Sequence, residues 1–234
     1  VREDVHVTKG NTFENEANLA ESALEMMRER YEGTSLGRQE LYAEILDDIE
    51  GALWNQAMIE EKRLPHDEER DLKTILVAID PAVTSGEDSD ETGIVVVGKD
   101  HNNEYYVLED VSGKYTPDQW GRLAVKTFYE WEADRIVAET NNGGDLVERL
   151  LRSVDPNIPY RSVRATRGKL LRAEPIAALY EQRKVHHLGV FPELETQMCT
   201  YVGQVKPSPD RLDALVWGLT ELSKSQGNIN WRIS

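Results

Sequence analysis

The stretch ILVAIDPA, residues 75–82, runs five apolar residues straight into an aspartate. Ile75 to Ile79 show no polar alternation, which is the pattern of a strand covered on both faces. Pro81 has no amide hydrogen to give a sheet ladder and closes the strand. Asp80 therefore stands at the end of a buried strand. Two readings account for it: an Asp-Pro turn, or a carboxylate delivered to a site at the edge of the sheet.

Working outward, the same pattern returns in RIVAE (135–139), where Ile136, Val137 and Ala138 run into Glu139. The following TNNGGD holds Gly143 and Gly144, which permit a tight turn or the close approach of a ligand. Asn141 or Asn142 suits the cap of the next helix, but capping does not account for Glu139, which precedes the loop. A third acidic place is PSPDRLDALVWGL (207–219). Ser208 is predicted as N-cap and Pro209 as the first helical residue. Asp210 then complements the helix dipole in the first turn. Asp213 lies three residues on, projecting from the same side, beside the apolar stripe Leu212, Leu215, Val216, Leu219 and Leu222. A carboxylate at the edge of a buried face needs a partner. Four such acids without clustered His or Cys form a hard oxygen donor set, suited to Mg²⁺ or Mn²⁺ rather than zinc. Three or four carboxylates can hold two such ions about 3.5–4 Å apart, the arrangement used for in-line phosphoryl displacement.

Around these segments the pattern is α/β. TGIVVVGKD (92–100) and EYYVLEDVS (104–112) read as a hairpin through KDHNNE. A helix is expected over 117–132, capped by Thr116 with Pro117 at its first position. A second carries Leu146, Val147, Leu150, Leu151 and Val154 on one face. A short strand near 160–164 and helices across 169–183, 190–202 and 209–223 complete a mixed sheet covered by helices. Residues 1–72 differ: helical stripes such as Leu19, Ala23, Leu24, Met27 and Tyr31, then Leu41, Ile45, Leu46 and Ile49, with too few apolar residues for a separate core. LPHDEERDLK (64–73) marks the expected boundary. Three units follow: a helical connector over 1–72, a main domain over 73–224, and a tail over 225–234.

The net charge of −16 over 234 residues would seem to exclude a nucleic-acid partner. Its distribution restores one, since residues 1–72 hold 19 of the 43 acids but only 8 of the 27 bases. RSVRATRGKLLR (161–172) places Arg161, Arg164, Arg167, Lys169 and Arg172 in an acid-free run that interrupts this acidic chain. Lacking interleaved aromatics, the run suits phosphate backbone rather than unpaired bases. The single cysteine, Cys199, excludes an internal disulfide framework and a multi-cysteine zinc site. No apolar run approaches the ~20 residues of a membrane span, and no secretion leader is expected.

AIDPAVTSGEDSDETGIVVVG (78–98), IVAETNNGGDLV (136–147), RGKLLRAEPIAALYEQRKVHHLG (167–189) and SPDRLDALVWGL (208–219) together resemble the nuclease domain of tailed-phage large terminase subunits. The resemblance implies the RNase H-like fold shared with Holliday-junction resolvases: a mixed five-stranded sheet flanked by helices. It implies that Asp80, Glu139, Asp210 and Asp213 are the catalytic metal ligands. One ion would activate water and the other would stabilise the leaving 3′ oxygen. The activity implied is endonucleolytic cutting of double-stranded concatemeric viral DNA in the host cytoplasm. The implied partners are the packaging ATPase domain, the small terminase subunit and the portal; no membrane is involved. YEGTSLGRQELYAEIL and GALWNQAMI resemble the stretch joining the terminase ATPase to its nuclease. No phosphate-cradling G-x-x-x-x-G-K-[ST] occurs, so the chain is expected to be a fragment that does not translocate DNA by itself. Because the front segment carries no proposed ligand, removing residues 1–63 is expected to spare cleavage. The competing readings are a junction resolvase, an actin-like or sugar-kinase-like ATPase, and a non-catalytic docking module of the packaging motor.

Overall fold

The computed structural model describes residues 49–81, 91–140, 144–164, 168–203 and 208–224. The helices expected before residue 49, the tail 225–234, and Asn141, Asn142, Gly143 and Arg167 lie outside them. In chain order the elements are α1 (Gln56–Glu60), β1 (Leu72–Asp80), β2 (Gly93–Asp100), β3 (Tyr105–Asp110), α2 (Pro117–Glu130), β4 (Arg135–Glu139) and α3 (Gly144–Val154). There follow β5 (Tyr160–Val163), α4 (Lys169–Glu181), β6 (Val185–His187), α5 (Pro192–Thr200) and α6 (Asp210–Lys224). No helix among the described residues is long and apolar enough to cross a membrane.

The sheet has six strands in the order β5-β4-β1-β2-β3-β6. β1 pairs antiparallel with β2 and parallel with β4, so it is central and covered on both faces, as its unbroken apolar run requires. β2 and β3 form the expected antiparallel hairpin, turning at Asn103 with φ 66°. The sixth strand is a correction to the expected five. β6 pairs parallel with β3 through only three residues, Val-His-His, too short and too polar to carry a strand signal.

Side chains of successive strand residues point to opposite faces, and two packed layers result. Leu76, Ala78, Val95, Val97 and Val137 face α6, α4, α5 and α1. Val77, Ile79, Ile94, Val96, Ile136 and Ala138 face α2 and α3. Thr116 caps α2 with a complete capping box. In α3, Val147 and Leu151 are buried as expected, but Leu146 is exposed, at the margin of the apolar face.

The described end of the front segment is part of the packed body. Trp54 and Ile59 are both 1% exposed within the α6-side core. The Leu53 amide donates to the Tyr201 carbonyl at 3.3 Å, and Leu64 forms an isolated parallel bridge with Leu188, just past β6. The expectation that residues 1–63 can be removed harmlessly is therefore corrected: that cut would strip two core side chains. Their role was hidden because their contacts are made with residues far along the chain.

Candidate active site

Two strand ends and one helix build the site. Ile79 and Ala138 are the last paired residues of the parallel β1–β4 ladder, so Asp80 and Glu139 follow side by side. Ala78 and Val137 face α6, and by the period of two so do Asp80 and Glu139. α6 lies across this end of the sheet. The Asp213 amide donates to the Pro209 carbonyl at 2.8 Å, so the helix opens at Asp210, one residue later than expected. Asp210 and Asp213 then meet Asp80: one carboxylate oxygen from each lies within 4.8 Å of the others.

Glycines allow this approach. Gly93, which pairs with Asp80 across the β1–β2 ladder, sits directly under the Asp210 carbonyl; a methyl group there would collide with it. Further along α6, a methyl on Gly218 would stand 2.7 Å from Val97 and 3.0 Å from Ala78. The helix backbone therefore rests on the sheet with no side chain between.

Burial and like charge dominate the electrostatics. Burial holds the Asp80 carboxyl well above its usual range, the charges of Asp213, Glu139 and Asp210 push it further up, and Lys169 opposes them. Burial also raises Asp213, in spite of its hydrogen bond from Lys169. Burial acts to lower Lys169, but the hydrogen bond to Asp213 and the surrounding carboxylates outweigh it and raise the ammonium. Lys169 also donates to the Ser208 hydroxyl at 3.1 Å.

Glu139 is near this trio but not within it. Its Oε2 accepts from the Trp217 indole N–H at 2.9 Å and faces the Arg172 guanidinium at 3.5 Å. Its Oε1 is buried with no hydrogen-bond partner among the described residues.

The basic run does not form one surface. Arg161, on β5, pairs at 2.6 Å with the buried Glu221 of α6. Arg164, just after β5, is exposed. Lys169 and Arg172 turn inward, Lys169 onto Asp213 and Arg172 over the Trp217 ring at 4.2 Å.

Several supports escaped the sequence reading. The Leu212 amide, in the first turn of α6, donates to the Gln197 side chain at 3.1 Å. Arg211 fastens the same turn to the hairpin, reaching Glu91 and Asp110, each at 2.9 Å. Neither partner was legible, because 15 residues or more separate each pair. Trp217 had a signal: it lies one turn after Asp213, on the same side of the helix.

A mixed six-stranded sheet with acids at two adjacent strand ends and on a final helix is the arrangement that known proteins can be compared with. The family model described as the terminase RNase H-like domain matches residues 77–222, more than half of the chain. The chain belongs to that family. Solved terminase structures share its fold at low identity. The large terminase of a thermophilic bacteriophage aligns with a TM-score of 0.55 and 16% identity over 89% of this chain and 54% of that one. The nuclease domain of the large terminase subunit gp2 of bacterial virus Sf6 aligns with a TM-score of 0.54 and 12% identity over 72% of this chain and 98% of that one. The large terminase nuclease from thermophilic phage G20c gives a TM-score of 0.50 and 15% identity over 70% and 94%. This terminase-family chain thus spans about half the length of the first of these large terminases. Among curated proteins no sequence match is found.

Proposed function

We propose that this terminase-family chain is a divalent-metal-dependent endonuclease that cuts double-stranded viral DNA during genome packaging. The observation that carries the reading is the convergence of Asp80, Asp210 and Asp213 within 4.8 Å, beside a buried Glu139 oxygen that lacks a hydrogen-bond partner among the described residues. The donors fit Mg²⁺ or Mn²⁺: all are carboxylate oxygens, and no His or Cys belongs to the cluster. Two ions held by Asp80, Glu139, Asp210 and Asp213 would supply an activated water and stabilise the leaving 3′ oxygen.

The chain's own residues have separate tasks in this scheme. Asp80, Asp213 and Asp210 concentrate negative charge in a poorly solvated place, so cation binding relieves a repulsion built into the fold. Lys169 offsets part of that charge and steadies Asp213. Burial keeps bulk water away from the carboxylates. Arg164 and Arg167 would guide duplex phosphates toward the acids, giving little sequence preference, while Lys169 and Arg172 are engaged within the site and Arg161 is held by Glu221. Residues 73–224 form the nuclease unit in this proposal, and 53–64 fold with it as the end of a connector over 1–72. The tail 225–234 follows. An ATPase domain, the small terminase subunit and the portal are the proposed partners, and the host cytoplasm the proposed location.

Supercoiled plasmid incubated with Mn²⁺ or Mg²⁺ tests the proposal. Cleavage is expected that EDTA stops and that Asp80→Asn and Asp213→Asn each abolish with the fold retained. Intact plasmid under all conditions, or wild-type cleavage by Asp80→Asn, would refute it. Preference for a four-way junction over linear duplex would redirect it to a resolvase.

A further inference from the structure

Glu139 differs from the three aspartates in how its two oxygens are treated. Oε2 receives the Trp217 N–H at 2.9 Å, and NH1 of Arg172 faces the same oxygen at 3.5 Å. Oε1 is buried and has no hydrogen-bond partner among the described residues, although Glu139 as a whole is only 7% exposed. A buried carboxylate oxygen left in this state is costly unless something binds it. The asymmetry has a single cause. An indole N–H is one donor with no acceptor capacity, on a ring that cannot turn without leaving its packing. Trp217 is 3% exposed, and the Arg172 guanidinium carbon lies 4.2 Å over its ring. The same ring therefore fixes which oxygen of Glu139 is tied and which stays open. Trp217 stands one helical turn from Asp213 on α6, so the helix that supplies two of the acids also orients a third on a neighbouring strand.

We propose that Trp217 is a positioning residue for the metal site: its N–H ties Oε2 of Glu139 so that Oε1 is presented to a divalent cation at the carboxylate cluster, with Arg172 clamping the indole. The inference rests on the metal-dependent nuclease reading. Hydrogen bonds of this kind, made to a ligand rather than to the metal, typically change metal affinity by about 10- to 100-fold. They act without touching the substrate.

The test uses the full chain without DNA and titrates Mn²⁺ calorimetrically into wild type, Trp217→Phe, Glu139→Gln, their double variant and Asp80→Asn. Phenylalanine keeps a ring under Arg172 and removes only the donor. Trp217→Phe should weaken Mn²⁺ binding about tenfold, and adding it to Glu139→Gln should cause no further loss, because its effect passes through Glu139. With duplex DNA it should lower kcat while leaving KM unchanged. Wild-type Mn²⁺ affinity in Trp217→Phe, or an equal further loss in the Glu139→Gln background, would overturn the inference while Asp80→Asn still fails to bind. Equal titration of wild type and Asp80→Asn would instead overturn the metal reading, and this inference with it. Should Trp217→Phe not fold, as judged by its thermal transition, Arg172→Lys replaces it, keeping the positive charge beside Glu139 Oε2 while removing the planar group over the indole. That variant unclamps the indole, and it should weaken Mn²⁺ binding by severalfold; unchanged affinity there would equally overturn the proposal.

Discussion

Replacing Arg63 by methionine should unfold the packed sheet-and-helix body at a lower temperature, although Arg63 belongs to the front segment. Glu195, on α5, is fully buried at 0% exposure. Arg63 grips both of its oxygens, NH1 to Oε1 at 2.8 Å and NH2 to Oε2 at 3.0 Å. The Phe191 amide and His187 Nδ1 reach Oε1, each at 3.1 Å. Burial lowers the His187 pKa, more than Glu195 raises it, so the ring is neutral at pH 7. It then donates from Nδ1 to Glu195 and accepts at Nε2 from the Tyr180 hydroxyl, 2.8 Å away. At Glu195 burial is the largest influence and acts upward, yet the hydrogen bonds from His187 and Arg63 prevail and hold the carboxyl down at about 2, against 4.5 in the unfolded chain. A depressed acid stabilises the fold at pH values above 4.5, and that contribution is lost as pH falls toward 2. At about 1.4 kcal/mol per pKa unit, the 4.5-to-2 difference amounts to about 3 kcal/mol. Breaking a buried pair by removing one partner costs a similar amount, about 3–5 kcal/mol. For a chain of this size the expected fall in Tm is about 6–12 °C. Calorimetry at pH 7 and pH 4 measures it: Arg63→Met should lose most at pH 7 and less at pH 4. Adding Glu195→Gln should recover part of the loss, because no buried charge then remains unpaired. A midpoint within about 2 °C of wild type at pH 7, or a loss independent of pH, would refute the account.

The fold was legible where one element carried its own signal. Ile75 to Ile79 declared a central strand because a strand covered on both faces cannot alternate, and the acid after it was then an anomaly to be explained. Glu139 and Asp213 were found by the same reasoning, as carboxylates in places where turn, cap and dipole did not suffice. What failed to show depended on pairing at a distance. β6 is three residues long, and only β3 makes it a strand. Trp54 and Ile59 lie in a segment with too few apolar residues for its own core, and they are buried only because α4, α5 and Tyr201 are set against them. The basic run looked like one surface because sequence gives charge without direction. Arg172 lies one helical turn after Lys169, and a helix beginning at Lys169 turns both toward α6. Trp217 was not singled out at all, although its N–H is what distinguishes the two oxygens of Glu139.

Further outcomes follow from the same geometry. Like charges within 4.8 Å repel by about 3–4 kcal/mol at an effective dielectric of about 20, so Asp80→Asn should raise the metal-free Tm by several degrees while abolishing the stabilisation that Mn²⁺ gives wild type; a lower metal-free Tm would contradict the repulsion. Gly93→Ala drives a methyl into the Asp210 carbonyl, so it should displace the first turn of α6 and weaken Mn²⁺ binding at least tenfold; wild-type affinity would mean that the close approach is not needed. Removing residues 1–63 takes Trp54, Ile59 and Arg63 from the packed body and should abolish the cooperative thermal transition; an unchanged transition would mean that these contacts are dispensable. The basic residues separate by orientation. Arg164→Ala with Arg167→Ala should weaken duplex binding for all sequences alike and flatten the log–log salt dependence by about 0.9 per lost phosphate contact, with Mn²⁺ affinity unchanged. Arg161→Ala should instead lower Tm at every salt concentration, because it leaves the buried Glu221 carboxylate without its 2.6 Å partner. If Arg161→Ala changed only the salt slope and left Tm alone, the pair with Glu221 would be incidental and Arg161 would belong to the DNA path.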